Sequence, residues 1–511
     1  MSQTNPLAPG NVARSPPSPL GLVHIREPFF LLCHQTITTW QQSQLGIHHW
    51  SQSLTKPATT RIRFPSRSNA TGVNNSAYSI WNVGPRTPFH LNLHLMNGLQ
   101  TELQPRRNFI LVVLLLHLCC LLPLKVSRGQ QNTKIPPPTK VELFAPGQAG
   151  IALYRIPGIV RTENGTLLAY CEARRNNGAD WGEIEIHMRR SSDDGMTWEP
   201  AVQIAHIGSR IEGNPKAKDP AIGASEQTVN NPVAIIDRET GAIEFLYCIN
   251  YARCFSMRSF DDGKSWSAPT EITETFEPFR KHYDWKVIAT GPGHGIQLRN
   301  GRLIVPIWLA YGKPGDHAPS ASATIYSDDH GKTWKAGELA VPNSQPFGNP
   351  NESIAAELST GEVMMISRNV SKPNRKIVTK SPDGATNWST PSFHNDLYEP
   401  ICMASLIALR NSPGTLVFTH PFQVEKDNEG REKPNTRGKR ENLTVRLSLN
   451  NGETWTHARV LDAGKAAYSD LVEMPNQKIG CFYEGDRSLW FATFHQSWID
   501  SEEIQKLDPS R

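Results

Sequence analysis

From about residue 140 onwards the hydrophobic positions come in short bursts. Examples are GAIEFLYCINY from Gly241, GRLIVPIWLAYG from Gly301 and EVMMISRNV from Glu362, each cut off by Gly, Pro or Asn. Long stretches with a 3.6-residue period are absent. Bursts of this length, bounded by turn residues, predict short strands, so this part of the chain reads as all-β.

Between the bursts one polar template recurs. SSDDGMTW starts at Ser191, SFDDGKSW at Ser259, SDDHGKTW at Ser327, SPDGATNW at Ser381 and SLNNGETW at Ser448, so the starts lie 68, 68, 54 and 67 residues apart. Self-similarity at a near-fixed period marks a repeat architecture. Asp and Asn fold back onto nearby backbone N–H groups, Gly supplies a positive φ, and a Thr or Ser hydroxyl satisfies a further local group. The template therefore predicts a tight turn between strands, with its Trp (198, 266, 334, 388, 455) packed on its own repeat at the periphery. In the fourth copy Gly moves to position 384, and in the fifth Asn450 replaces Asp. A scaffold turn tolerates such drift. Repeats of this size with several strands each predict a six-bladed β-propeller, five blades marked by a box and one unmarked.

Composition adds little. Of 511 residues, 38% are hydrophobic and 20% charged, with a net charge of +5, too mild to argue for nucleic acid. P-loop, HExxH and CxxC patterns are absent, so no cofactor or metal is expected. Residues 1–95 are polar and aperiodic, and are expected to be disordered or not part of the natural protein. Residues 96–129 read as a signal peptide or N-terminal anchor. Met96 is the expected true start, Arg106 and Arg107 form a positive region, and Phe109 to Leu124 is a 16-residue apolar run. Residues 130–139 read as a linker, and 140–500 as the propeller. The chain is thus expected to be exported. Export would permit a disulfide between Cys248 and Cys254, with Cys171, Cys402 and Cys481 left over.

The chemistry begins at YRIPGIV, where Arg155 sits in an apolar strand and calls for an anionic partner. Arg368 ends EVMMISR, and Arg440 begins RENLTVR. A propeller gathers strands of different blades around one channel. Three arginines meeting there would trap a carboxylate, since guanidinium offers a planar fork of donors.

The RIP tripeptide, the repeated Asp boxes and the three spread arginines resemble the exo-sialidase (neuraminidase) family, over roughly residues 140–495 and in the style of its bacterial and animal cellular members. The resemblance implies that Arg155, Arg368 and Arg440 bind the substrate carboxylate, with Arg446 the competitor of Arg440. It implies Asp180 as acid/base, Tyr468 as nucleophile with Tyr483 as rival, and Glu352 as its proton acceptor with Glu357 nearby. Glu172 and Arg174 are implied in the pocket lining, and Glu484 as support for an arginine. His294 and Gln297 of GPGHGIQL are weaker pocket candidates, a lone His being more often structural.

The same resemblance implies a retaining exo-α-sialidase acting on sialylated glycoproteins, glycolipids or oligosaccharides, without cofactor and with no partner protein. The substrate carries a carboxylate on its anomeric carbon. A neutral tyrosine avoids the repulsion a carboxylate nucleophile would meet there. A trans-sialidase and a non-catalytic glycan-binding propeller are the alternatives.

Overall fold

The computed structural model describes residues 135–500, apart from 177, 207, 220–221, 224, 313–316 and 435–437. The segments expected to be disordered and targeting, and half of the linker, lie outside the described residues.

Strand β1 (Thr139–Phe144) opens the fold and waits for the last blade. Blade 1 is β2 (Leu153–Arg161), β3 (Leu167–Arg174), β4 (Ile184–Ser191) and β5 (Val202–Ala205). Blade 2 is β6 (Val229–Ile236), β7 (Ile243–Ile249), β8 (Arg253–Ser259) and β9 (Thr270–Glu271). Blade 3 begins with β10 (Val287–Thr290). The chain then adds β11 (Gly293–His294) to blade 2, parallel to β6, and returns through β12 (Ile296–Gln297). β13 (Leu303–Ala310), β14 (Ser320–Ser327) and β15 (Lys335–Val341) complete blade 3. Blade 4 is β16 (Ser353–Glu357), β17 (Val363–Ser367), β18 (Arg375–Ser381) and β19 (Ser392–Tyr398). Blade 5 is β20 (Ser405–Ala408), β21 (Leu416–Pro421), β22 (Glu441–Ser448) and β23 (His457–Lys465). Blade 6 is β24 (Ser469–Glu473), β25 (Lys478–Glu484) and β26 (Leu489–His495), with β1 as its outer strand. The fold is the expected six-bladed β-propeller.

Each Asp box is the link between the third and fourth strands of its blade. In blade 6 that link does not exist, because the fourth strand comes from the other end of the propeller. This is why six blades carry five boxes. The turns are built alike. In the first, Gly195 N donates to Ser191 Oγ at 2.9 Å and Thr197 N to Asp193 Oδ1 at 2.9 Å. Donors from Thr197, its hydroxyl foremost, and from the Ser191 hydroxyl hold the Asp193 carboxyl down to about 2. In the fifth, Asn450 Oδ1 accepts from Thr454 N at 3.0 Å while its amide donates to the Thr454 hydroxyl, so Asn serves where Asp stood.

Clusters of buried apolar side chains fill the seams between neighbouring blades. Leu309 and Trp334 of blade 3 share one with Leu246 of blade 2, and Phe482 and Phe491 of blade 6 share another with Ala169 of blade 1. Fully burying one such side chain contributes about 1.5–3 kcal/mol. Trp455 packs on Phe418 of its own blade, as expected. Trp198 differs, meeting Phe491 of blade 6 edge-on, because the box turn of blade 1 overhangs the seam. Cys248 and Cys254 stand opposite each other on β7 and β8 as buried free thiols, and the expected disulfide is not formed.

The inner strands all run the same way along the axis. Their N-terminal ends surround one cavity, of about 410 Å³, and their C-terminal ends a second, of about 620 Å³. The second strand of each blade runs back, so its C-terminal end returns to the first cavity. Between the two cavities Asp470 of β24 ties the ring together. It accepts from Ile159 N of β2 at 2.9 Å and from the Ser405 hydroxyl of β20 at 2.8 Å, and it pairs with His294 Nδ1 of β11 at 2.7 Å.

Candidate active site

The residues of the first cavity follow from this strand geometry. Arg155 lies near the start of β2, Glu352 just before β16, and Tyr468 just before β24. Arg174, Arg368 and Glu484 sit at or just beyond the C-terminal ends of β3, β17 and β25. Arg440 precedes β22, a third strand and so parallel to the first. Spacings along the chain thus become neighbours around one axis.

Arg155, Asp180, Glu352, Arg368, Arg440 and Tyr468 all line the cavity. The Tyr468 phenol donates to Glu352, with Oη 2.8 and 2.7 Å from the two carboxylate oxygens. Arg368 Nη1 donates to both Glu352 and Tyr468, the latter at 2.7 Å. Its Nε is buried without a hydrogen-bond partner among the described residues, a donor left over for a ligand. Arg155 is clamped by Glu484, Nε to Oε1 at 3.1 Å and Nη2 to Oε2 at 3.2 Å. The guanidinium groups of Arg155 and Arg440 lie 5.1 and 5.5 Å from the Tyr468 ring centre. Arg440 Nη2 donates to the Ile401 carbonyl at 2.6 Å.

Burial drives the Tyr468 phenol well above its ordinary pKa. Arg368 pulls it back, and the Glu352 carboxylate pushes it up again. Burial also pushes Asp180 upward, but Arg174, His317 and Arg155 outweigh it and leave the carboxyl below its usual range. Asp180 sits on the loop after β3, half exposed, with Arg174 Nη1 at 2.9 Å and Arg155 Nη1 at 3.8 Å.

Several expected residues stand elsewhere. Glu172 and Arg174 are buried behind the wall, paired at 2.7 Å, and do not line the cavity. Arg174 holds Asp180 from the rear, and Glu172 also accepts from Asn231 N at 2.9 Å. The three competitors are outside it. Arg446 bonds to His420 at 3.0 Å, Tyr483 to Asp462 at 2.8 Å, and Glu357 pairs with Arg299 at 3.1 Å. His294 and Gln297 face the second cavity, not the first, because β11 and β12 lie beyond the axial Asp470.

Sequence reasoning passed over Asn231, Tyr251, Trp308 and His317, which complete the wall. The rings of Tyr251 and Trp308 lie 4.9 and 5.2 Å from that of His317, and Trp181 packs on Tyr251 at 4.7 Å. One signal could have found Asn231. The inner strand of blade 2 has Asn230-Asn231-Pro232 where blade 1 has Arg155-Ile156-Pro157. Both strands bulge there, and the residue before each proline has positive φ, 60° for Ile156 and 52° for Asn231. Such strain on a β-branched residue gathers at functional sites.

The arrangement has distinct chemical capacities. Three guanidinium groups can hold a carboxylate, a phenol and a carboxylate can form a nucleophile–base pair, and Asp180 can exchange a proton at the mouth.

A family model described as a BNR repeat-like domain matches residues 165–481. A sialidase of Bacteroides fragilis is 31% identical over 353 residues, 66% of this chain and 61% of that protein. A sialidase of Micromonospora viridifaciens is 27% identical, over 71% of this chain and 54% of the relative. Sialidase-2 of Cricetulus griseus is 28% identical, over 66% of this chain and 90% of its own length. The chain thus spans between about half and three fifths of the two bacterial relatives. Among solved structures, the Hadza microbial sialidase Hz136 superposes with a TM-score of 0.58 at 28% identity, covering 71% of this chain and 69% of its own. Trypanosoma rangeli sialidase in complex with the inhibitor DANA superposes at 0.53 with 20% identity, covering 71% and 60%, a likeness of fold. With its boxes, its six blades and these relatives, the chain belongs to the sialidase family.

Proposed function

We propose that the chain is an exo-α-sialidase, removing terminal α-linked sialic acids from glycoproteins, glycolipids or oligosaccharides. The observation that carries this reading is the Tyr468–Glu352 contact of 2.7–2.8 Å beneath three cavity-lining arginines. Arg155, Arg368 and Arg440 take the substrate carboxylate. Tyr468 attacks the anomeric carbon as Glu352 takes its proton, which suits a phenol whose pKa is raised and which cannot ionise beforehand. Asp180 protonates the departing oxygen and then activates water, so configuration is retained. A carboxylate bound at Arg155 offsets one of the charges that hold Asp180 below its usual range, which favours its protonated, acid form, while Arg174 behind the wall keeps its hold.

Export belongs to the same proposal and rests on the apolar run from Phe109 to Leu124. Among the described residues no helix is long and apolar enough to cross a membrane. The test is hydrolysis of a fluorogenic α-sialoside, with the first-formed anomer read by NMR. Release of the β-anomer first, or no turnover by folded protein, would sink the proposal.

A further inference from the structure

Away from the cavity wall and the Glu172–Arg174 pair behind it, a second fully buried ion pair joins Lys376 of β18 to Glu399, just beyond β19. The two charged groups are 2.9 Å apart and each is 1% exposed. Removing two charges from water is costly, and a buried pair is weak evidence for stability. What the pair holds is more telling. One Glu399 oxygen accepts from Cys402 N at 3.0 Å, and the other from Asn369 N at 3.1 Å. Lys376 Nζ donates to the Cys402 carbonyl at 2.6 Å. Asn369 directly follows Arg368. Cys402 directly follows Ile401, whose carbonyl takes Arg440 Nη2 at 2.6 Å. Ile401 itself has φ 58°, a left-handed conformation that a β-branched residue adopts only when its surroundings compel it.

We propose that the Lys376–Glu399 pair is a positioning device that sets two of the three cavity arginines for the carboxylate of the substrate. Glu399 pins the backbone immediately after Arg368. Together with Lys376 it grips the N–H and the C=O of Cys402, fixing the two peptide groups that flank this residue and so the turn that aims the Ile401 carbonyl at Arg440. Neither residue lines the cavity, so neither touches substrate. The pair acts by making the spacing between two guanidinium groups a fixed property of the fold, set on blades 4 and 5 before any ligand arrives. This inference rests on the reading of the cavity as a sialic acid site.

The experiment compares the inhibitor DANA, which bears a carboxylate, with its methyl ester, which bears no such charge. Affinities are measured for the wild type, Glu399→Gln and Lys376→Met, alongside melting temperatures. Partners that orient a ligand-holding group are worth about 10–100-fold, so the variants are expected to weaken DANA by about that factor. The ester should change by less than about threefold, since an error confined to the arginines is invisible to it. Equal weakening of both ligands would mean a merely structural role, and unchanged DANA binding would mean none, and either result overturns the inference. Should a single variant not fold for want of its partner, Lys376→Met/Glu399→Leu leaves no orphaned buried charge. The same selective loss is expected of it, and wild-type DANA affinity would overturn the inference. A folded wild type that binds neither ligand would instead refute the sialidase reading, which separates the two failures.

Discussion

The phenolic oxygen of Tyr468 stands within 2.8 Å of both carboxylate oxygens of Glu352, 116 residues away in the chain, and Arg368 bonds to each of them. Tyr468→Phe keeps the ring and its packing while removing the attacking oxygen. Hydrolysis is expected to fall by on the order of 10³-fold or more. The melting temperature should stay close to that of the wild type. Retained activity, with Tyr483→Phe losing it instead, would move the nucleophile to the other tyrosine.

Arg440 and Arg446 are six residues apart but differ in surroundings. Arg440→Ala is expected to cost about 1.5–3 kcal/mol in binding a carboxylate ligand, with little effect on folding. Arg446 is buried against His420 and over the Phe422 ring, and burial lowers its pKa to about 10. Its replacement by Ala should therefore lower the melting temperature before it touches affinity. Calorimetric titration beside thermal denaturation reads both, and an exchange of the two outcomes would refute the assignment.

Asp180 touches the site from a loop, and in the proposed mechanism it acts on the leaving group. In Asp180→Ala, sialosides with an aryl leaving group should keep most of their turnover, because they need little protonation. A sialyl galactoside should lose about 10²–10⁴-fold. Equal losses on both substrates would show that Asp180 is needed for shape and not as an acid.

His294 belongs to the axial tie and not to the cavity. Burial alone would lower its pKa, but the Asp470 carboxylate bonded to it outweighs burial and raises it. A raised histidine contributes stability that is fully present below its unfolded pKa of about 6.5. That stability is lost as pH rises through the higher folded value. Thermal stability should therefore fall as pH rises above about 6.5, and the fall should be absent in His294→Asn, which keeps a donor to Asp470 without titrating. A wild-type profile that is flat there would refute the linkage.

The fold was legible because its repeat is written in the turns. Ser, Asp, Gly and Trp are demanded by local backbone geometry, so each blade carries its own signature wherever it closes its third strand onto a fourth. The site was legible only where a residue sits in a distinctive local frame, as Arg155 does in RIP or Tyr468 in AYSDL. Tyr251, Trp308 and His317 have no such frame. They meet because blades 2 and 3 curve around an axis, which no local pattern encodes. The misplacement of His294 has a related cause. A strand lining the channel can point to either mouth, and composition does not say which. Glu172 and Arg174 were expected in the pocket lining, but residues buried behind a wall and residues on its surface look the same along one strand.

The closing of blade 6 by β1 has a consequence for the order in which the protein becomes competent. Synthesis runs from β1 to β26, so the first strand of the propeller to be made is the last to find its partner, and it must stay unpaired while five blades are built. Tyr468 and Glu484 arrive on that same final blade. A nascent chain therefore carries all three cavity arginines, Asp180 and Glu352 before it carries Tyr468, the proposed nucleophile. Ring closure and the arrival of the proposed nucleophile are therefore a single late event.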